Sequence, residues 1–389
     1  MSNKKIRMGM VGGGDGAFIG AVHRIAAQID GEIELVCGAF SSDPAKSLAS
    51  GRKLYLPEQR CYQSYEQMFA GETNLPAAER MQFVAIVTPN HLHYPIAKQA
   101  LLSGFHVLSD KPATFNLQEA ISLSEIIVQS GNLYGLTHTY TGYPLVKQAK
   151  HIVASGELGN ITKVVVEYSQ GWLANKENED GKQASWRLDP KQAGISCCVG
   201  DIGVHAANLA EYVCGAQIHS ICADLGSVVA DRQLDDDAMV LLRFDNNARG
   251  VLLASQISSG DENDLRLRVY GDKASLDWCQ LEPNSLWLKY NNKPAQLIRS
   301  GVGDFCQAAS SAMRTPAGHP EGYLEAFANI YVNFAAQIRA FEAGQVSDND
   351  TFDVPGIQEA IRGMAFIENT VEASQSSQKW HVINIDSNN

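Results

Sequence analysis

The sequence predicts an α/β protein with two domains: a doubly wound parallel sheet, followed by an α/β domain with an open, mostly antiparallel sheet. Two observations predict this fold class. Up to about residue 137, short apolar runs alternate with segments of helical spacing, which is typical of a parallel sheet covered by helices on both faces. Beyond that point, longer runs alternate between apolar and polar residues, as antiparallel strands do. We therefore place the domains at residues 1–137 and 138–389.

The first domain contains five short apolar runs that we interpret as buried strands. They are Ile6–Val11, Ile33–Ala39, Phe83–Val87, His106–Leu108 and Leu133–Leu136. The segments between them have apolar residues at helical spacing, as in Ala21–Ile29, Pro95–Ser103 and Leu117–Gln129. Ser64 and Gln67 add a helix-start box before a further apolar segment.

The second domain has longer runs of alternating polarity. They are Ile161–Tyr168, Ile218–Val229, Ala238–Phe244, Gly250–Ile257 and Leu265–Tyr270. Polar breaks such as residues 245–247 separate them, which indicates an open, mostly antiparallel sheet. Two helical stretches, Tyr323–Glu342 and Ile357–Glu372, follow near the end of the chain.

The composition excludes several classes of partner. Hydrophobic residues make up 45% of the chain and the net charge is −12, so we expect neither nucleic acid nor an anionic membrane surface to bind. The start of the chain lacks the pattern of a signal peptide, and no run of apolar residues is long enough to span a membrane. The eight cysteines are scattered without a CxxC pair, which favours a reducing cytoplasm.

A glycine-rich loop follows the first strand and opens the first helix. Glycines at this point permit a tight turn and a close approach of the backbone to a pyrophosphate, which the helix N-terminus then attracts. Gly12 and Gly14 fit the first two positions of the G-x-G-x-x-G/A pattern, and either Ala17 or Gly20 fits the third. The first domain is therefore predicted to be a Rossmann dinucleotide-binding domain. The loop residues expected to bind the cofactor are Gly12, Gly14, Ala17, Phe18 and Ile19.

The end of the second strand leaves the choice between NAD and NADP open. An acidic residue there holds the ribose hydroxyls in NAD-binding proteins, but this chain has Ser41 at that position. Asp43 could supply the acid or simply start the next helix. Ser41 and Lys46 could accept a 2′-phosphate, and we include Ser42 with them among the expected cofactor-binding residues.

Three further segments carry candidate chemistry. Thr88–His93 and Ser109–Pro112 each follow a strand of the first domain, so they are expected at the carboxyl ends of the strands, beside the glycine loop. In the second domain, Asp201 and His205 are four residues apart and would share one face of a helix. Histidine has an ordinary pKa suited to proton transfer near neutral pH.

Taken together, these motifs resemble the Gfo/Idh/MocA family, named for glucose–fructose oxidoreductase, inositol dehydrogenase and a rhizopine-catabolism protein. The resemblance covers nearly the whole chain. It rests on Gly12–Gly20, Thr88–His93, Asp110–Pro112 and Asp201–His205. The segments Trp186–Pro190 and Gly318–Tyr323 are similar to segments of sugar-active members. The chain departs from the family pattern where Asp110 replaces a glutamate and where Gly194–Cys198 replaces a Gly-Gly pair.

The resemblance implies an NAD(P)-dependent dehydrogenase that moves a hydride between the nicotinamide and a secondary alcohol of a sugar, anhydrosugar or cyclitol. His205 would accept the proton, and Lys111 would polarise the reacting oxygen. Asp201 would orient the His205 side chain or bind a substrate hydroxyl. The roles of Lys111 and His205 could also be exchanged. Further expected cofactor contacts are Thr88, Asn90, His93, Asp110 and Lys111. The expected substrate contacts are Tyr140, Trp172, Trp186, Arg187, Asp201, His205 and His319.

Cofactor, partners and alternatives complete the expectations. The type of glycine loop favours NAD, with NADP possible. We expect no metal site, because histidine and aspartate have no third ligand at suitable spacing. A polar run, Asn175–Lys182, is a candidate lid. We expect a homodimer or homotetramer through the outer face of the C-terminal sheet, because neither face of Gly250–Ile257 is strongly polar. Two other functions stay open: a glycosidase that oxidises its sugar transiently with bound NAD, and a non-enzymatic cofactor-binding sensor.

Overall fold

The computed structural model describes residues 4–176 and 182–385. The chain forms two compact units. The first comprises Met1–Thr139 with Phe327–Ala360, and the second comprises Tyr140–Ala326 with Ile361–Asn389. The division at residue 137 stays a prediction. The structure differs from it by placing Phe327–Ala360 with the N-terminal residues.

The first unit contains the expected parallel sheet, with five strands in the order β2-β1-β3-β4-β5. The strands are β1 (Ile6–Gly12), β2 (Ile33–Ala39), β3 (Phe83–Val87), β4 (His106–Ser109) and β5 (Tyr134–Leu136). The helices between them are α1 (Phe18–Ile29), α2 (Pro44–Lys53), α3 (Tyr65–Thr73), α4 (His93–Leu102) and α5 (Leu117–Ser130). β2 lies on one side of β1 and β3 on the other, so the strand order reverses between β1 and β3, which is where ligands bind in doubly wound sheets.

Local signals explain where these helices begin. The Ser64 hydroxyl accepts a hydrogen bond from the Gln67 backbone N–H and caps α3, which confirms the expected helix start. Asn116 caps α5 in the same way through the Glu119 N–H. At the end of α5, Gly131 adopts a left-handed φ of 69°, a conformation that glycine tolerates without strain.

The second unit contains a nine-stranded sheet in the order β13-β12-β11-β10-β6-β9-β8-β7-β14. Its central strands are β6 (Ile161–Ser169), β7 (Ile218–Gly226), β8 (Asp237–Phe244), β9 (Arg249–Ser255) and β10 (Asp264–Gly271). The remaining strands are β11 (Ala274–Cys279), β12 (Ser285–Tyr290), β13 (Gln296–Arg299) and β14 (His381–Val382). Only the β6–β9 pair is parallel among the described strands of this sheet, so the mostly antiparallel prediction is confirmed.

The later helices complete the secondary structure. They are α6 (Pro144–Ala154), α7 (Lys182–Arg187), α8 (Pro190–Ala193), α9 (Val204–Cys214), α10 (Gln307–Ser311), α11 (Tyr323–Glu342) and α12 (Ile357–Gln375). In the second unit, α9 packs on β6, β9 and β10 and against α6. None of the helices in the described part of the chain is long and apolar enough to cross a membrane.

The later segment of the first unit, Phe327–Ala360, packs on the N-terminal residues through aromatic side chains. Tyr331 and Phe334 of α11 lie on the ring of Phe83, with centroid distances of 6.4 and 5.5 Å. All three side chains are fully buried. Aromatic side chains bury a large apolar area, which is why this part of α11 belongs to the N-terminal core.

A fully buried carboxylate, Glu72, fixes the end of α3. It accepts hydrogen bonds from the Arg60 guanidinium at 3.0 and 2.5 Å, from the Tyr62 hydroxyl at 3.0 Å and from the Met81 backbone N–H at 2.8 Å. Removal of one partner from a buried ion pair leaves the other charge without compensation. The carboxylate therefore ties α3 to the loops on either side of it.

We predict that Glu72→Ala lowers the free energy of unfolding by about 3–5 kcal/mol, measured by urea denaturation. Tyr62→Phe, which removes a single hydrogen bond to the same carboxylate, should cost about 1 kcal/mol. Equal effects of the two substitutions would show that the ion pair is not the dominant contribution.

Candidate active site

The glycine loop adopts backbone conformations that side chains rarely reach. Gly12, Gly13 and Gly16 have φ values of 84°, 67° and 76°. A Cβ atom on Gly20 would lie 2.3 Å from the Gly13 Cα atom, so α1 passes directly against the loop. Ala17 precedes α1 as its N-cap residue. Of the two alternatives for the third position of the pattern, the geometry favours Gly20 in a loop with three extra residues.

The residues around this loop fit a dinucleotide pyrophosphate. A Cβ on Gly12 or Gly14 would collide with backbone oxygens of Val87 or Phe40 at 2.7 and 2.6 Å, so the loop leaves a cradle that only glycine allows. Among the described residues, the first turn of α1 has neither a capping side chain nor an acidic residue. The helix N-terminus is therefore suited to binding a phosphate.

At the end of β2, Asp43 starts the next helix. Its Oδ1 atom accepts hydrogen bonds from the backbone N–H groups of Ala45 and Lys46 at 2.9 and 3.3 Å, so it caps α2. The Asp43 N–H donates to the Ser41 hydroxyl at 3.1 Å, and Lys46 Nζ lies 4.0 Å from Asp43 Oδ2. This exposed carboxylate offsets the charge that Lys46 would offer to a 2′-phosphate. Ser42 is exposed beside them.

His93 connects the loops that follow β3 and β4. Its ring is buried, with Nε2 at 2.8 Å from the Thr88 carbonyl oxygen and Nδ1 at 2.7 Å from the Pro112 carbonyl oxygen. Burial lowers the pKa of His93. Since both ring nitrogens face backbone carbonyls, His93 connects the two loops, and the cofactor contact that the sequence predicts for it stays a prediction. Asn90 is buried in the same loop.

Asp110 is fixed at the carboxyl end of β4. Its Oδ1 atom accepts hydrogen bonds from the Lys111 N–H and the Thr137 hydroxyl, both at 2.9 Å. Burial alone would raise the pKa of Asp110, but the neighbouring His23 ring, together with Lys111 and His93, holds it well below the usual range. Lys111 thus directly follows an ionised carboxylate.

A second buried histidine, His138, lies beyond the end of β5. Burial lowers its pKa to about 3, and the positive charge of Lys111 acts in the same direction. The ring is therefore neutral at physiological pH. Sequence reasoning did not identify His138, although it follows a strand end as Thr88 and Asp110 do.

In the second unit, Asp201 lies in a π-helical turn, Val199–Gly203, just before α9. The Val204 N–H bonds to the Val199 carbonyl, five residues back, so the expected α-helical spacing between Asp201 and His205 is replaced by a wider turn. Such turns occur frequently at functional sites. Asp201 Oδ2 accepts hydrogen bonds from Arg187 Nε at 3.1 Å and Gln256 Nε2 at 3.0 Å.

His205 is buried in the first turn of α9, beside an aromatic side chain. The Tyr140 ring packs edge-to-face on the His205 ring at a centroid distance of 5.0 Å. The Tyr140 hydroxyl is hydrogen-bonded to the Tyr168 hydroxyl and accepts from Asn263 Nδ2 at 3.2 Å. These contacts hold the His205 imidazole against a polar, aromatic wall.

The same wall continues to Trp172. Gln170 Nε2 donates to Asn263 Oδ1 at 2.6 Å, and Trp172 Nε1 donates to Gln170 Oε1 at 2.8 Å. The Arg187 guanidinium lies over the rings of Trp186 and Trp172, at 4.4 and 5.9 Å. Arg187 therefore connects the tryptophans to Asp201.

Six of the seven expected substrate residues are joined in these networks, and His319 is not. Its exposed ring faces carbonyls of its own turn, Pro316 and Ala317, at 3.3 Å, and these are its contacts among the described residues. The candidate lid lies mostly at residues 177–181, outside the described residues.

Several polar residues of the networks were missed by the sequence reasoning. They are His23, Thr137, His138, Tyr168, Gln170, Gln256 and Asn263. All except His23 lie at or just beyond the end of a strand or before the start of one. The rule that sites form beyond the carboxyl ends of parallel strands could have found Thr137 and His138, which follow β5, but it does not apply to the mostly antiparallel sheet.

The fold and the glycine loop define a NAD-binding oxidoreductase. Residues 6–138 match the family model described as "Oxidoreductase family, NAD-binding Rossmann fold", and residues 146–277 match the "GFO/IDH/MocA C-terminal domain". The chain belongs to the Gfo/Idh/MocA family.

Known proteins resemble the chain over nearly its whole length. "Uncharacterized oxidoreductase YfiI" of Bacillus subtilis is 32% identical, over 97% of both chains. An oxidoreductase of Sinorhizobium meliloti is 43% identical with a TM-score of 0.87, covering 97% of this chain and 99% of that one. An inositol dehydrogenase homologue of Azotobacter vinelandii, complexed with NAD+, is 33% identical with a TM-score of 0.92, covering 98% and 100%. The structure of its complex with NADH and myo-inositol is 33% identical with a TM-score of 0.90, covering 97% of this chain and 98% of that one.

We predict that Gly20→Ala weakens NAD+ binding by about tenfold or more, equivalent to about 1.4 kcal/mol, because the added methyl group would displace the Gly13 backbone. Isothermal titration calorimetry measures this change. Gly31→Ala is the matched control at the other end of α1, where φ is 70° and no heavy atom lies within 4 Å of the added Cβ. It should lower stability by about 1 kcal/mol and leave NAD+ affinity unchanged. Unaltered affinity in Gly20→Ala would contradict the role given to Gly20.

Proposed function

We propose that the protein is an NAD-dependent dehydrogenase that oxidises a secondary alcohol of a sugar, anhydrosugar or cyclitol. The observation that carries this proposal is Lys111, which follows an ionised carboxylate at the carboxyl end of β4 in the unit with the glycine loop. The myo-inositol named with the Azotobacter vinelandii homologue supports a cyclic polyol as the substrate class. All eight cysteines are free thiols, which supports a reducing cytoplasm as the location.

The loop Gly12–Gly20 and the N-terminus of α1 would hold the cofactor pyrophosphate, with Thr88 and Asn90 as further contacts. When bound, NAD+ supplies the hydride acceptor. We assign NAD over NADP because Asp43 is paired with Lys46 and weakens the attraction of that lysine for a 2′-phosphate. Ser41, Ser42 and Lys46 remain the residues that would contact such a phosphate.

Loss of a hydride from the alcohol carbon requires removal of the hydroxyl proton. We assign His205 as the proton acceptor, since imidazole has an ordinary pKa near working pH. Lys111 would stabilise the negative charge that develops on the oxygen. The reverse assignment, with Lys111 as the base, is the alternative.

Asp201 would bind a neighbouring hydroxyl of the substrate or orient His205. Its Oδ2 atom already accepts two hydrogen bonds, from Arg187 and Gln256, and the first of these is also an ion pair. Tyr140, Trp172 and Trp186 would cover the C–H faces of the ring, as aromatic faces suit apolar surfaces that carry polar edges.

We predict that Lys111→Ala lowers kcat by about 10²–10³ while Kd for NAD+ changes little, because charge stabilisation acts mainly on the transition state. His205→Ala should lower kcat by about 10²–10⁴ and flatten the pH profile near neutrality. Steady-state kinetics with a panel of cyclitols, aldoses and anhydrosugars, with NAD+ or NADP+, measures both effects.

The pH profiles distinguish the two assignments. If Lys111→Ala abolishes the pH dependence and His205→Ala keeps it, the lysine is the base. Near-normal kcat in both variants with the true substrate would show that the site is wrong.

We also propose that the protein is a homodimer or homotetramer assembled through the outer face of the nine-stranded sheet. On this face Leu241 of β8 pairs with Val251 of β9, which pairs with Val165 of β6. Met239 and Leu241 are 57% and 47% exposed. An exposed apolar patch on β8 that continues onto the half-buried Val251 of β9 is typical of a surface that another subunit covers.

We predict that Leu241→Asp dissociates the assembly, because a charge would then be buried in an apolar interface. Light scattering at micromolar concentration measures the mass. Val346→Asp is the control, since Val346 is 96% exposed outside the sheet, and it should keep the native mass. A monomeric native protein would overturn the proposal.

A further inference from the structure

A buried pair, His23 and Tyr331, lies behind Asp110 in the first unit. His23 comes from α1 and Tyr331 from α11, and both side chains are fully buried. The Tyr331 hydroxyl lies 2.6 Å from His23 Nδ1. The imidazole also packs edge-to-face on Phe327 at 4.6 Å, so its orientation is fixed on two sides.

The other ring nitrogen faces the carboxylate. His23 Nε2 lies 3.7 Å from Asp110 Oδ2, longer than a hydrogen bond. Within the described residues, Nε2 is a buried atom without a hydrogen-bond partner. A buried polar atom of this kind is costly unless its environment compensates, and the nearby negative charge does so only if Nε2 carries the proton.

Tyr331 determines which nitrogen carries that proton. Burial raises the pKa of Tyr331 well above its ordinary value, so its hydroxyl remains a donor. When that hydroxyl donates to Nδ1, a neutral imidazole must carry its proton on Nε2, pointing to Asp110. The opposite tautomer would direct a nitrogen lone pair at the carboxylate, which is repulsive.

The carboxylate in turn holds Lys111. Asp110 Oδ1 accepts from the Lys111 N–H and the Thr137 hydroxyl, while Oδ2 faces His23. The loop that carries Lys111 therefore fixes one side of the carboxylate, and the His23 ring faces the other side. Lys111 itself and His93 also act on Asp110, and the Asp110 charge acts in turn on His138 and Tyr331.

We propose that Tyr331 and His23 are positioning residues for hydride transfer: Tyr331 sets the Nε2–H tautomer of His23, which orients the Asp110 carboxylate and, through it, Lys111. This role rests on the proposed function of Lys111. If the pair served only to pack the core, the tautomer of His23 would not affect kcat. The packing role and the positioning role can therefore be distinguished by measurement.

The tautomer itself is measured without any assay of activity. In the full-length protein, 15N NMR of histidine side chains should report the Nε2–H tautomer for His23 at neutral pH, assigned by loss of its signals in His23→Gln. Tyr331→Phe should shift His23 away from this single tautomer. An Nδ1–H tautomer in the native protein would overturn the proposal.

Kinetics test the consequence. Tyr331→Phe should lower kcat by roughly two- to tenfold, the contribution of one hydrogen bond, with Kd for NAD+ unchanged. His23→Leu should lower kcat by roughly tenfold or more, because it removes the polar ring that faces the Asp110 carboxylate. His23→Gln should recover part of this loss, because its amide can still donate towards Asp110.

Two controls separate the possible failures. Tyr62→Phe removes a tyrosine hydroxyl from a different carboxylate of the same unit, and it should reduce stability without changing kcat. In an Asp110→Asn background, Tyr331→Phe should have no further effect on kcat. If Lys111→Ala lowers kcat but Tyr331→Phe and His23→Leu do not, the positioning role is wrong while the proposed function stands. If Lys111→Ala keeps normal kcat, the role assigned to Lys111, on which this proposal rests, is wrong.

Discussion

The carboxylate of Asp110 is the constraint on which the first unit depends. It stands at the carboxyl end of β4 and binds the backbone of Lys111 and the hydroxyl of Thr137 beyond β5. Parallel strands direct their carboxyl ends to one edge of the sheet, so a single, largely buried charge can fix two neighbouring loops there. An ionised carboxylate persists in this environment only because the groups around it compensate for its burial.

The sequence predicts the elements whose chemistry is local. Apolar runs predict the five parallel strands because a strand buried on both faces has to be apolar along its length. Ser64 predicts a helix start because capping involves only residues three apart. The glycine loop is also predictable, but the choice between Ala17 and Gly20 depends on how closely α1 approaches Gly13, and a pattern of letters does not contain that distance.

The parts that sequence reasoning missed depend on contacts between distant residues. His23 and Tyr331 are 308 positions apart, and neither belongs to a recognisable motif. Gln256 and Arg187 approach Asp201 from separate segments, so their role depends on how α7 and the end of β9 lie beside the π-helical turn. The π-helical turn at Asp201 is a local feature, yet nothing in the spacing of Asp201 and His205 distinguishes it from an α-helix.

Transfer of deuterium tests the central claim most directly. myo-Inositol deuterated at its carbinol carbons, and a set of equally labelled cyclic sugars, would be incubated with the protein and NAD+, and the nicotinamide product analysed by mass spectrometry. A dehydrogenase must move the label from carbon to the nicotinamide, so we expect each turnover to give one NADH molecule that contains one deuterium. No labelled NADH from any of these substrates, or cleavage of a glycoside without accumulation of NADH, would contradict the assignment.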